Sequence, residues 1–206
     1  MPPETARIAF TFDDGPDPWG TPVLLETLAA HSVPATFFLI TARARRSPGL
    51  VREIVSAGHE IGLHADVHSP LDRQAVRPLT DRLGIARAAL EQICQQSIRL
   101  HRPPSGLTSR SSLRATNRAG MRIAMWSHDP RDWDPLQPSP LEARLSDCFE
   151  PGAIVLLHDG SPRSPAQTLG TAQALAETVP LLGEMQLDPV TVSVGAAIAG
   201  QAPVDP

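Results

Sequence analysis

The chain has 206 residues, 41% hydrophobic and 19% charged, which supports one substantial core and is cramped for two. All 18 basic residues are Arg, and neither Lys nor Tyr occurs, so a Lys Schiff base, a P-loop Lys and a Tyr acid or nucleophile are excluded. A net charge of -4 argues against a partner such as nucleic acid, and no apolar run is long enough to cross a membrane.

Short β-rich runs alternate with longer amphipathic stretches along the chain. Strand Arg7–Phe12 is followed by helix Thr21–Ala30, strand Ala35–Thr41 by helix Pro48–Ala57, and strand His59–Leu63 by helix Pro78–Gln95. Strand Ile98–Arg102 then precedes helix Ser109–Ala119, strand Met121–Ser127 precedes helix Ser139–Phe149, and strand Ala153–His158 precedes helix Gln167–Leu182. A last strand is expected over Pro189–Val194, and the tail Gly195–Pro206 is expected to cap a barrel end or fray. Gly58 and Gly120 close helices, whereas Ser47-Pro48, Ser109 and Ser139 open them. The cluster Arg43 to Arg46 reads as a solvated helix start. Cys94 and Cys148 are isolated and read as buried free thiols. Met1 lies too near the first strand to leave room for a signal peptide, so a cytoplasmic location is expected.

Strands that alternate with helices demand parallel pairing with right-handed crossovers, in an open doubly wound sheet or a closed barrel. The polar residues decide between them. Asp13 and Asp14 follow the first strand, His64 and His68 the third, Arg102 the fourth, Asp129 and Asp132 the fifth, and His158 ends the sixth. Polar groups gathered from the carboxyl ends of many strands mark a barrel mouth. The chain is short for eight β/α units, so a single domain built as a distorted (β/α)7 barrel, incompletely closed, is expected.

Each polar segment has a bland reading and a chemical one. Asp13-Asp14-Gly15-Pro16 is turn-forming, yet two adjacent carboxylates at a strand end need a cation or an Arg to offset their repulsion. His64 and His68, four apart, can aim at one point in a helical or tight-turn conformation. Two His and one carboxylate form the donor set of a hydrolytic zinc site, which cobalt, nickel or iron also accepts. His158 could be a satisfied core histidine, Asp132 a loop acid beside Trp133, and Arg102 a snorkelling surface residue.

Taken in order, the segments resemble the five motifs of the polysaccharide deacetylase family, the carbohydrate esterases that share the NodB homology domain. Thr11 to Pro16 resembles the first motif, His64 to His68 the second and Arg102 to Gly106 the third. Asp129 to Trp133 resembles the fourth and Leu156 to His158 the fifth. Phrases such as Pro151 to Gly160 and Val33 to Phe38 are most similar to the branch that deacetylates chitooligosaccharides. The resemblance implies a metal-dependent hydrolase of linear amides that removes acetate from N-acetylglucosamine units. It implies that Asp14, His64 and His68 hold a divalent metal, most naturally zinc, and that Asp13 is the general base oriented by Arg102. His158 is then the general acid tuned by Asp132, a backbone N–H near Ser105 stabilises the oxyanion, and Trp133 and Leu156 contact the substrate.

This sequence departs from the family at Ser105, where an aromatic is usual, and at Ala65, where Ser or Thr is usual. With three Trp and no Tyr, stacking platforms for a long glycan are few, so a short, soluble N-acetylated carbohydrate is expected as substrate of a monomer. An amide or formamide hydrolase acting on a small biosynthetic intermediate, and a non-catalytic carbohydrate-binding relic, are the competing readings.

Overall fold

The computed structural model describes residues 6–160 and 165–198. The first half runs β1 (Ala6–Asp13), α1 (Gly20–Ala30), β2 (Ala35–Ile40), α2 (Thr41–Arg46), α3 (Pro48–Ser56), β3 (Glu60–Ala65) and α4 (Val76–Cys94). The second half runs β4 (Leu100–His101), α5 (Arg110–Arg118), β5 (Arg122–Ile123), α6 (Leu141–Ser146), β6 (Ile154–His158), α7 (Pro165–Thr178), α8 (Leu181–Glu184), β7 (Leu187–Pro189) and α9 (Val192–Ile198). All strand pairs are parallel, in the order β5-β4-β3-β2-β1-β6, and β7 pairs with the first residues of β1.

The period-2 alternation of strand side chains separates two environments. On the outer face Phe10, Phe12, Phe37, Val155 and Leu157 pack beneath helices that contribute Leu24, Leu28, Val51, Ile54, Leu83 and Leu175, and this is the main core. Phe12 stacks on Phe37 with ring centroids 4.9 Å apart. The inner face carries only a small apolar cluster of Ala9, Phe38, Leu100, Ala124 and Val192. Besides that cluster and Leu156, the face buries polar side chains: Thr11, Asp13, Thr36, His64 and Arg102. The start of α9 plugs the lower end, where Val192 N–H donates to Thr36 Oγ1 at 3.0 Å and Ser193 N–H to Glu60 Oε2 at 3.1 Å.

The curled sheet is a distorted (β/α)7 barrel. It closes between β5 and β6 through a short backbone patch: Ser127 N–H donates to Ile154 O and Leu156 N–H to His128 O, both at 2.9 Å. His128 and Val155 form a single bridge there instead of a ladder. Gly58 (φ 85°) and Gly120 (φ 75°) adopt the left-handed conformation expected of them, and both cysteines are buried and unpaired.

Several expected elements differ. Val192–Ile198 is a helix, so the strand expected over Pro189–Val194 ends at Pro189. Beyond Ile8 that edge of β1 is taken by β6, which pairs from Ala9 onward, so the β-branched run that follows has no strand to pair with. The tail expected from Gly195 is helical as far as Ile198, and the remainder lies outside the described residues. The expected helix Gln167–Leu182 is two helices separated at Val179-Pro180, where proline ends the first. The expected strand Ala35–Thr41 stops at Ile40, and α2 takes up the arginine cluster, of which Arg43 is not merely solvated: its Nη1 donates to Asp14 O at 2.6 Å.

Phe12→Ala would remove a fully buried ring from the main core while leaving the inward-facing side chains of β1 in place. The substitution is expected to cost about 3–5 kcal/mol of unfolding free energy, read from the urea midpoint; a loss below about 1 kcal/mol would contradict this assignment of the core.

Candidate active site

At the end of β1 the chain must turn two neighbouring carboxylates toward different partners. Asp13 keeps the strand conformation and faces the barrel interior, whereas Asp14 has φ 77°, which swings its side chain out of the alternation. The next residue has to be glycine: a Cβ on Gly15 would stand 2.0 Å from Asp159 Oδ2. Asp159 in turn donates its N–H to Asp13 O at 3.2 Å and accepts from Thr21 Oγ1 at 2.7 Å. Burial pushes the Asp159 carboxyl up to about 7.

His64 sits at a register shift between β2 and β3, where Leu39 pairs with Leu63 and Ile40 with Ala65. Such a bulge re-aims a side chain. His64 Nδ1 lies 2.8 Å from Arg102 O, which fixes that nitrogen as the N–H donor and leaves the Nε2 lone pair free. Nε2 of His64 and Nε2 of His68 each lie 3.6 Å from Asp14 Oδ1. The three ligand atoms are within 4.8 Å of one another. Burial lowers the pKa of His64, and the Asp13 and Asp14 carboxylates pull the other way without overcoming it, so the ring is neutral, as a metal ligand must be. Asp14 Oδ1 is buried without a hydrogen-bond partner. A stranded acceptor beside two ring nitrogens is costly unless a cation completes it, so these residues fit a divalent metal.

Arg102 is fully buried and not a snorkelling surface residue. Its Nη1 donates to Asp13 Oδ1 at 2.9 Å and to Thr11 Oγ1 at 2.7 Å, and its Nε donates to Ala124 O at 3.0 Å. The guanidinium lies over the Phe38 ring, 4.1 Å from its centroid, with Trp126 at 5.5 Å on another side. Gly62 makes room for that ring, since a Cβ there would be 2.5 Å from Phe38.

His158 pairs in register with Asp13 on the adjacent strand, so the two side chains stand next to each other on the interior face. Asp132 clamps it twice, accepting from His158 N–H at 2.9 Å through Oδ2 and lying 2.7 Å from Nδ1 through Oδ1. Thr171 Oγ1 donates to Asp132 Oδ2 at 2.9 Å, which holds the carboxylate in place. Burial lowers the pKa of His158, but Asp132, by charge and hydrogen bond, and then Asp13 and Asp14 more than reverse this and raise it to about 9.

Asp13, Asp14, His64, His68, Arg102, Asp132 and His158 therefore meet at one mouth. Ser105 is exposed, with φ 57°, on the turn after β4, and Trp133 is 42% exposed beside Asp132. Leu156 is buried two residues below His158 on the same face, in register with Thr11, so it forms floor and not a projecting platform. His64 and His68 are not on one helix: the first ends a strand and the second lies on a bend. Sequence reasoning missed Thr11, Arg43, Asp159, Thr171 and Trp126. Of these, only Asp159 carried a local signal, as a carboxylate directly after a strand-end histidine.

The family model for polysaccharide deacetylase matches residues 1–124. A chitooligosaccharide deacetylase of a Bradyrhizobium species is 36% identical over 176 residues, covering 85% of this chain and 80% of that one. A peptidoglycan-N-acetylglucosamine deacetylase of Bacillus cereus is 34% identical over 195 residues, covering 94% and 89% respectively. A family 4 acetyl xylan esterase from Clostridium thermocellum, solved with a cobalt ion, superimposes with a TM-score of 0.84 at 26% identity, covering 96% of this chain and 93% of that one. The extent of these matches and the meeting of the motif residues at one barrel mouth lead to one conclusion: this chain belongs to the polysaccharide deacetylase family and is a deacetylase, a hydrolase of amide bonds.

Proposed function

We propose that the protein is a metal-dependent N-deacetylase that removes acetate from N-acetylglucosamine units of a short, soluble chitooligosaccharide or related glycoside. The observation that carries this reading is the placement of the Asp14, His64 and His68 donors beside an arginine-anchored carboxylate and an aspartate-anchored imidazole. Asp14, His64 and His68 would hold a divalent ion, zinc by preference, which would supply polarisation of the acetamide oxygen and a lowered pKa for water.

Arg102 occupies Asp13 Oδ1, which leaves Oδ2 to accept the proton of the attacking water. Asp132 occupies Nδ1 of His158 and so directs Nε2 to the departing nitrogen. An amine leaves only when protonated, and a pKa of about 9 keeps His158 protonated at neutral pH. The backbone N–H at Ser105 serves the oxyanion. Trp133 and Leu156 line the sugar, one as an exposed wall and the other as floor. One relative is named for chitooligosaccharide and another for the N-acetylglucosamine of peptidoglycan, and the scarcity of aromatic residues favours the shorter substrate.

Asp132→Asn is expected to lower the His158 pKa. Because the acid must carry a proton, the alkaline limb of the pH–rate profile then moves to lower pH; an unmoved limb, with unchanged imidazole shifts in an NMR titration of the metal-free protein, would contradict the role of the pair. Mass spectrometry of zinc-loaded protein with N-acetylglucosamine oligomers of graded length is expected to show loss of one acetyl mass, abolished by a chelator. Asp13→Asn should retain zinc while losing about 100- to 10,000-fold in turnover, whereas His64→Ala should lose both. Release of acetate from insoluble chitin as fast as from a tetrasaccharide would refute the substrate class.

A further inference from the structure

The two histidines of the donor set are held by different means. His64 is almost fully buried at the end of β3, and its ring is fixed by Arg102 O. His68 lies on the following bend with its side chain 44% exposed, and among the described residues no hydrogen bond reaches its ring. Where His68 stands relative to Asp14 therefore depends on the backbone between them, and Ala65 has no polar side-chain atom with which to brace it.

A single side chain from α4 ties that bend. Arg82 Nε donates to Asp66 Oδ1 at 2.9 Å, and Arg82 Nη2 lies 2.6 Å from the same oxygen. The same Nη2 donates to Ser69 Oγ at 2.9 Å. One planar guanidinium thus grips the chain two residues before His68 and one residue after it. The Asp66 carbonyl is fastened separately, accepting from Ala42 N–H at 2.9 Å at the start of α2. A rigid fork that bonds two points at once restricts the bend in a way that the single ammonium of Lys cannot.

We propose that Arg82 is a positioning residue for the metal site: through Asp66 and Ser69 it holds His68 in register with Asp14 and His64 and so sets the metal affinity. The inference rests on reading Asp14, His64 and His68 as the metal-holding set. Without the clamp, binding has to order the bend as well as form the bonds, and affinity falls. A partly exposed ion pair contributes little to global stability, so the effect is confined to the bend.

The test is zinc titration of the metal-free full chain against a chromophoric chelator, together with the visible spectrum of the cobalt-loaded form, for wild type, Arg82→Ala, Arg82→Lys and His64→Ala. Arg82→Ala is expected to bind zinc about 10- to 100-fold more weakly, with an altered cobalt spectrum and a metal-free melting temperature within about 2 °C of wild type. Arg82→Lys should recover only part of the affinity. Wild-type affinity and spectrum in Arg82→Ala, with zinc binding abolished in His64→Ala, overturn the proposal and leave the metal set standing. Zinc binding unaffected by His64→Ala overturns the metal set and the proposal with it. Should Arg82→Ala not fold, Asp66→Asn and Ser69→Ala each weaken one arm, and unchanged affinity in both is equally decisive against the clamp.

Discussion

Arg102 has no exposed surface, and a guanidinium taken out of water is tolerable only when its donors are paired. Burial lowers its pKa, and the Asp13 carboxylate at 2.9 Å opposes that. Every partner that satisfies Arg102 is also a part of the site or of the barrel that frames it. Asp13 and Thr11 come from β1, and the carbonyls of Ala124 and Met125 continue β5. The Arg102 carbonyl fixes His64. One buried charge therefore ties the proposed base, a proposed metal ligand and the loosely paired side of the barrel into a single arrangement. Removing it would leave the buried Asp13 carboxylate without its directly bonded charged partner.

The same low-dielectric interior drives two histidines in opposite directions. His64 is held neutral because burial outweighs its acidic neighbours, while His158 is raised to about 9 because Asp132 contacts it directly. A neutral imidazole can donate a lone pair, and an imidazolium can donate a proton. Side chains of one type, a few ångströms from the same carboxylates, are thus suited to different tasks by their hydrogen-bond partners.

Much of this was legible in the amino-acid order. The alternation of strand and helix narrowed the fold to an open parallel sheet or a barrel, and polar residues following successive strands chose the barrel and identified its mouth, because parallel strands bring their carboxyl ends together. What the order hid were partners distant in sequence. Thr171 supports Asp132 from α7 with no local pattern to mark it, and Asp159, whose place after His158 was its one local signal, packs on Gly15 from the end of the adjacent strand. The strand expected at Pro189–Val194 failed for a related reason: its β-branched residues suit a sheet, but Val192 is used instead as a plug in the inner cluster. Histidine count alone would also have misled. His101 is as buried as His64, yet it is a core histidine and not a ligand: its Nδ1 lies 2.8 Å from Thr116 Oγ1, its Nε2 has no hydrogen-bond partner among the described residues, and burial drives its pKa to about 3.

The central claim is that Asp14, His64 and His68 together hold a metal between Asp13 and His158. Anomalous diffraction at the zinc edge, from crystals of the zinc-loaded protein, tests it most directly. The account predicts one peak, bonded at about 2.0–2.2 Å to a carboxylate oxygen of Asp14 and to a ring nitrogen of each of His64 and His68, with Asp13 and His158 uncoordinated on either side. A peak bonded to Asp13 or His158, or zinc bound only elsewhere on the molecule, would contradict it.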